Sequence, residues 1–301
     1  MENSIDEEYK TIARIKKFLY NSFSKRQFLI SITKVAEDIN SDFTYQFKNL
    51  IVKLKLDGIV RSLLYSVTLS EKVLAMHIIY YLDLSKESYV KRIMKYSESH
   101  NFALRMESYI TMIRLMKDEG QLVEFIGKKY NLSMLDINVI VNAILNNPML
   151  KIDFMKLLSS EKTRKILIGL LMAKYKYRDN SRSLILILNQ LENENLTVKK
   201  LAWDAYLSLV PEKEGFDLIK EHYHELDYNV KLMLLKHFDF YNNQPEIDFL
   251  DDIILSEPVP IKIEAMKKMF KLDMKTFIKY VEIEDPIMAS VCSEIIDMNI
   301  N

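Results

Sequence analysis

Residues 197–209 read TVKKLAWDAYLSL, residues 229–240 read NVKLMLLKHFDF and residues 260–272 read PIKIEAMKKMFKL. In each, a lysine is followed by two variable residues and then by a small or apolar residue that opens an apolar face. Leu201, Ala202, Ala205, Tyr206 and Leu209 recur at helical spacing, as do Leu104, Ser108, Ile110, Met112 and Ile113 in ALRMESYITMIRLM. No stretch alternates with period two between turn signals, so the expected fold class is all-α.

The same short pattern recurs along the chain as Lys72-Val-Leu-Ala75, Arg105-Met-Glu-Ser108, Arg164-Lys-Ile-Leu167, Lys199-Lys-Leu-Ala202, Lys231-Leu-Met-Leu234 and Lys262-Ile-Glu-Ala265. Successive basic residues are 33, 59, 35, 32 and 31 positions apart. The gap of 59 is about two periods, and a degenerate helix over 133–146 (SMLDINVIVNAILN) fills it. Second helices are expected between these first helices, over 87–97, 120–129, 149–158, 181–192, 213–225, 245–255 and 274–282. A helical hairpin of this size cannot bury its apolar face alone. Stacking neighbours closes the core, so the expected architecture is a solenoid of about seven hairpins.

The repeat resembles the HEAT family, whose first helix often begins with Asp, an apolar residue, Arg, two variable residues and Ala. Residues 197–209, 229–240 and 260–272 carry the match, with Asp227 and Asn229 near the entry position and Pro260 opening the last helix. The likeness covers residues 63–301, with Lys in place of the commoner Arg and without the small residue in the repeats at 164 and 231. It implies a right-handed α-α superhelix, a basic residue that ladders adjacent repeats, and a non-enzymatic scaffold that binds proteins through its second helices. Tetratricopeptide repeats are the competing architecture, but Trp203 stands without the Leu-Gly and Tyr of that signature. The Thr-Pro-Leu-His turn of ankyrin is missing. Residues 1–62 fit the period least and are expected to form an irregular cap of helices over 6–21, 25–38 and 42–56, with Gly58 near the end of the third.

Composition narrows the function classes. Five glycines in 301 residues leave little from which to build phosphate loops or nucleophile elbows. The lone cysteine, Cys292, cannot form an internal disulfide or a cysteine-based zinc site, which fits a reducing compartment. The segment MENSIDEEYK is acidic where a secretory leader is basic and then apolar. The longest apolar run, Ile166 to Ala173, is too short to cross a bilayer. A cytoplasmic location is therefore expected, or a membrane-associated one if a longer native chain carries an anchor.

The zero net charge is a sum of unlike parts. Residues 1–212 carry 32 basic and 24 acidic side chains, whereas residues 213–301 carry 10 and 18. Residues 9–62 hold 11 Lys plus Arg against Glu37, Asp38, Asp42 and Asp57, and Lys10, Arg14 and Lys17 lie opposite Ile12, Ile15 and Leu19. Such a face suits an anionic membrane or an acidic partner, so a regulatory module of a membrane-associated enzyme is one alternative.

Candidate chemistry is sparse. His222 and His224 are two apart and point away from each other on a helix, so they cannot share a metal there. His77, His100 and His237 are scattered over different repeats. Trp203-Asp204 brings to mind a bacterial HEAT-like family that removes alkylated bases from DNA with an Asp and aromatic residues in a basic groove. A nucleic-acid binder or DNA-repair glycosylase is thus the other alternative. Residues 151–212 carry only 11 basic side chains against 7 acidic, so nucleic acid is not the expected partner. Tyr80, Tyr81, Tyr89, Tyr96, Tyr109, Tyr175 and Tyr177 are expected at interhelical seams or as anchors for a partner, and the 16 methionines as core filler or an adaptable surface. No catalytic, cofactor-binding or metal-ligating residue is nominated, no small-molecule ligand is expected, and the partner-binding residues are left open.

Overall fold

Short polar side chains start the helices. Asn101 accepts from Leu104 N, Asn195 from Thr197 N and Val198 N, and Asn243 from Glu246 N, each taking amides that have no partner within the helix. Ser133 and Asp136 form a reciprocal capping box. The computed structural model describes residues 2–38, 44–127, 132–147, 150–176, 181–281 and 286–300, which form nineteen α-helices and no strand.

Helices α1 (Glu2–Phe18), α2 (Ser22–Asp38), α3 (Thr44–Lys53) and α4 (Asp57–Leu64) precede a regular alternation. First helices follow as α5 (Leu69–Tyr81), α7 (Phe102–Leu115), α9 (Met134–Leu145), α11 (Thr163–Lys176), α13 (Leu196–Leu209), α15 (Tyr228–His237), α17 (Val259–Leu272) and α19 (Pro286–Ile300). Second helices between them are α6 (Glu87–Tyr96), α8 (Glu119–Gly127), α10 (Phe154–Leu158), α12 (Ser181–Leu188), α14 (Glu212–His222), α16 (Gln244–Ser256) and α18 (Met274–Val281). Each second helix expected from the sequence has a counterpart, but α10 starts only at Phe154, α12 ends at Leu188 and α14 ends at His222, shorter than the spacing implied. The margins expected at 42–43, 128–129, 149 and 282, and Tyr177, lie outside the described residues.

The chain divides into two compact units, residues 1–168 and 169–301, with the division inside α11. In the first unit α5 packs on α2, α4 and α7, and α7 packs on α6 and α9. In the second, α13 packs on α15 and α15 on α17, while α16 and α18 flank α17. Each unit is thus a succession of first helices with second helices beside them, an all-helical arrangement compatible with an α-helical solenoid.

Polar bonds between elements repeat the sequence period. Arg105 Nε donates to Asp136 Oδ1 at 2.9 Å, Lys199 Nζ to Asp227 Oδ2 at 2.8 Å and Lys231 Nζ to Glu257 Oε1 at 2.7 Å, spanning 31, 28 and 26 residues. Each cation occupies the fourth position of its first helix, and each acid stands in the first turn of the next first helix (Asp136) or just before its start (Asp227, Glu257). There the free amides and the helix dipole also favour negative charge. Lys262 departs from the pattern by donating to Leu255 O, and Lys72 lies over the Tyr96 ring. Opposite ends of the helices are tied at the same offset. Asn147 Nδ2 donates to Ile113 O, Lys268 Nζ to Phe238 O, Asn242 Nδ2 to Leu272 O and Lys174 Nζ to Asp204 Oδ2, across 34, 30, 30 and 30 residues.

Three expectations for the cap and entry positions need correction. Gly58 does not end the third helix, because it lies in the first turn of α4, a helix the sequence reading missed. The reversal after α3 is a Schellman motif with Lys55 at φ 55°, closed by Leu56 N to Ile51 O and Lys55 N to Val52 O. Asp83 makes the same turn after α5 at φ 48°, with Leu84 N to Ile79 O. In both motifs a buried leucine follows the left-handed residue, so apolar burial drives the turn where glycine is absent. The boundary expected at residue 62 therefore falls inside α4. Pro260 takes the second position of α17 rather than the first, whereas Asp227 stands at the entry of α15 as expected, with its carboxylate on Lys199.

Aromatic residues fill the second core. Phe216, Phe238, Phe240, Phe249 and Tyr223 pack mostly edge to face, with centroids 5.0–6.4 Å apart. Tyr89 and Tyr96 behave as seam residues in the first unit. Their rings are buried while the hydroxyls donate to Asp57 and to Leu64 O, each 32 residues back.

Two stability outcomes follow from this geometry. Asp136 is buried beside Arg105 and also holds Ser133, so Asp136→Ala lowers unfolding free energy by about 3 kcal/mol or more. Asp227, half exposed beside Lys199 and screened by solvent, costs much less when replaced by alanine. Urea midpoints of the two variants measure the contrast. Gly58→Ala raises stability by about 0.5 kcal/mol in the same assay, because a Cβ there meets nothing within 4 Å and the position is helical.

Candidate functional site

Helices α6, α7 and α8 line a cleft of the first unit with a volume of about 410 Å³. Val90 and Met94, one turn apart on α6, form one wall and are half-buried. Met112 and Leu115 of α7, with Met116 beyond its end, form the floor, and Phe125 of α8 closes the far side. Phe125 is held edge-on to buried Tyr109, with centroids 6.0 Å apart, so this wall is rigid. Ser85, Lys117, Gln121 and Glu124 make a polar rim. Methionine can re-pack against varied shapes, so the cleft suits apolar side chains presented by a partner, with the rim supplying hydrogen bonds.

A single helical period does not reveal this cleft. Met94, Met112 and Met116 read as core filler on their own helices, and only the close approach of α6 to α7 turns them into one surface. The visible signal was limited to the Val90–Met94 spacing and the abundance of methionine.

The expected histidine geometry is altered. His222 ends α14 and the chain tightens into a 3-10 turn over Tyr223–Glu225, so the pair does not lie on one continuous α-helix. His222 faces Trp203 edge-on at 6.5 Å and His224 packs edge-on to Tyr223. Among the described residues no group of three or more His, Cys, Asp or Glu side chains is placed to hold a metal. Cys292 is buried, and burial pushes its thiol pKa up.

Trp203 is fully buried, with no surface on which a base could stack. Asp204 is bound by Lys174 at 2.6 Å. Its shallow cleft of about 210 Å³ is lined also by Glu212, Asp239 and His237, which gives three carboxylates on one small surface. His237 is thus a rim residue, and His100 is exposed. Among the expected tyrosines Tyr175 is largely exposed, whereas Tyr80 packs edge-on against Tyr81 at 4.8 Å with the Arg114 guanidinium over its ring.

A cluster that the sequence did not suggest joins α2, α5 and α7. His77 Nε2 lies 3.1 Å from Glu107 Oε1, and Tyr81 donates to Glu37 at 3.0 Å. The Glu107 hydrogen bond raises the His77 pKa against the opposing effect of partial burial, and the charges of Glu107 and Glu37 add to the rise. Burial and then the Glu37 contact push the Tyr81 hydroxyl up to about 12. The cluster ties helices together and lines no cleft described above.

No protein-family model matches the chain, and no curated protein matches it.

The His77–Glu107 pair sets a pH dependence of stability. Because the folded pKa is raised above the ordinary 6.5, its contribution is fully present below that value and is lost as pH rises through the folded pKa. The melting-temperature difference between wild type and His77→Gln is therefore largest near pH 5.5 and falls away by about pH 9. Thermal denaturation followed by circular dichroism across that window measures it.

Proposed function

We propose that this protein is a non-enzymatic scaffold or adaptor, a right-handed α-solenoid of about seven HEAT-like hairpins behind an N-terminal helical cap, acting in the cytoplasm. The methionine-lined cleft between the second helices α6 and α8 carries this reading. Its lining joins these second helices over α7, and its apolar walls with a polar rim suit a protein partner. Cross-helix bonds one period apart support the repeat reading, since each ties a hairpin to the one that follows. The partner is a protein that inserts apolar side chains, with further contacts spread over neighbouring repeats.

The carboxylates around Asp204 favour this function over a nucleic-acid enzyme. Glu212 and Asp239 repel a phosphate backbone, and the buried Trp203 cannot take part in base recognition.

Parallel capture from the native host on wild type and on Val90→Lys/Met94→Lys tests the function. Each side chain is already partly buried and contributes on the order of 0.7 kcal/mol when covered, so the double change, which also places two ammonium groups in the cleft, lowers recovery of the specific partner about tenfold. The helical circular dichroism signal stays unchanged. Recovery of nucleic acid with no protein, or equal recovery by both baits, would overturn the proposal.

A further inference from the structure

The corner between α1 and α2 presents a second, chemically different surface. From Lys10 to Ala36 the chain carries seven Lys or Arg residues and no Asp or Glu. The acidic positions 2, 6, 7 and 8 belong to the opposite end of α1, on the order of 15 Å from Phe18 at 1.5 Å per residue. At the corner Phe18, Tyr20 and Phe23 are 74 %, 80 % and 70 % exposed, although aromatic side chains of this size usually bury most of their surface.

This exposure is set by an ordered turn. Leu19, between Phe18 and Tyr20, is buried, and its amide donates to Ile15 O. Asn21 caps α2 by accepting from Ser24 N at 2.8 Å and from Ser24 Oγ at 2.7 Å. The leucine anchors the corner inward while its aromatic neighbours project outward. Lys16 and Lys17 adjoin Phe18 and are exposed, and Arg14 is exposed one turn earlier. Arg26 is directed elsewhere, to Glu71 at 2.7 Å, so the cations offered at the corner are Arg14, Lys16 and Lys17.

We infer that the α1–α2 corner docks on an anionic membrane surface, with Phe18, Tyr20 and Phe23 entering the headgroup region and Arg14, Lys16 and Lys17 facing the lipid phosphates. Three observations select a bilayer among anionic partners. The rings project from a turn, where they can enter a yielding planar surface, whereas base stacking needs aromatic platforms set in a basic groove. Phenylalanine and tyrosine beside lysine are the side chains that partition to the interface. Charge is of one sign throughout the segment, as attraction to anionic headgroups requires. Among the described residues no helix is long and apolar enough to cross a membrane, so the association is peripheral.

Phe18→Trp supplies the probe, because the single native tryptophan, Trp203, is buried and reports on the core. The Phe18→Trp protein is mixed with vesicles of phosphatidylcholine containing about 30 % phosphatidylserine, and with vesicles of phosphatidylcholine alone. Expected results are a blue shift and co-sedimentation with the anionic vesicles only. Binding falls at least about tenfold in Phe18→Ser/Tyr20→Ser/Phe23→Ser and in Lys16→Glu/Lys17→Glu, and weakens as salt is raised. All substituted side chains are exposed, and unchanged circular dichroism checks the fold. Val90→Lys/Met94→Lys still binds vesicles, which separates this surface from the cleft. Absence of vesicle binding, equal binding to neutral vesicles, or undiminished binding by the serine variant would each overturn the inference. So would single-stranded RNA or an acidic protein bound through the same residues in place of vesicles.

Discussion

The Arg105–Asp136 pair expresses the constraint on which the rest of the structure depends. A helical hairpin of about 33 residues has more apolar face than it can cover, so each first helix must lie against the next. Arg105 reaches across that seam to a buried carboxylate, and in the second unit Lys199 and Lys231 reach across theirs to half-exposed Asp227 and to mostly buried Glu257. Burial pushes the Asp136 carboxyl up, yet hydrogen bonds from Arg105 and Ser133 outweigh it and hold the pKa below the usual carboxylate range. The charge remains where the start of α9 also favours it. One carboxylate thus caps its own helix and fixes the register of its neighbour.

Much of the polar chemistry available to a catalytic site is used in this way. Asp204 is held by Lys174, Glu119 receives both Asp153 N and Lys156, and Tyr89 and Tyr96 direct their hydroxyls to groups 32 residues back. These ion pairs lie along seams between helices. Two of the outward-facing surfaces are rich in apolar side chains, the methionine cleft at α6–α8 and the aromatic corner at α1–α2. Surfaces of those kinds are suited to association with other macromolecules.

Legibility followed the range of the interaction. The first helices from α5 to α17 and the second helices between them were readable because their apolar spacing is local, whereas α19 was not expected, and Lys199 and Lys231 could be singled out by position. The sequence does not set α4 apart because Gly58, in its first turn, resembles the end of the preceding helix. Lys55 and Asp83 in left-handed turns carried no signal, since leucines buried by distant elements hold them there. The break at Tyr223 was invisible for the same reason. Burial of that ring among Phe249 and the seam residues shapes the chain after His222.

By itself the sequence determined a helical fold class, a period near 33 residues and the places where a basic residue could meet the next repeat, because these depend on backbone propensity and spacing along the chain. Only the tertiary structure decided which carboxylate each cation found, that Val90 and Met94 would join Met112 and Phe125 in one cleft, and that Trp203 would be lost to the core. It also separated Leu19, turned inward, from Phe18, Tyr20 and Phe23, left in solvent. Those outcomes depend on which residues distant in the chain come within a few ångströms. That proximity is a property of packing, which the periodicity of a single helix does not contain.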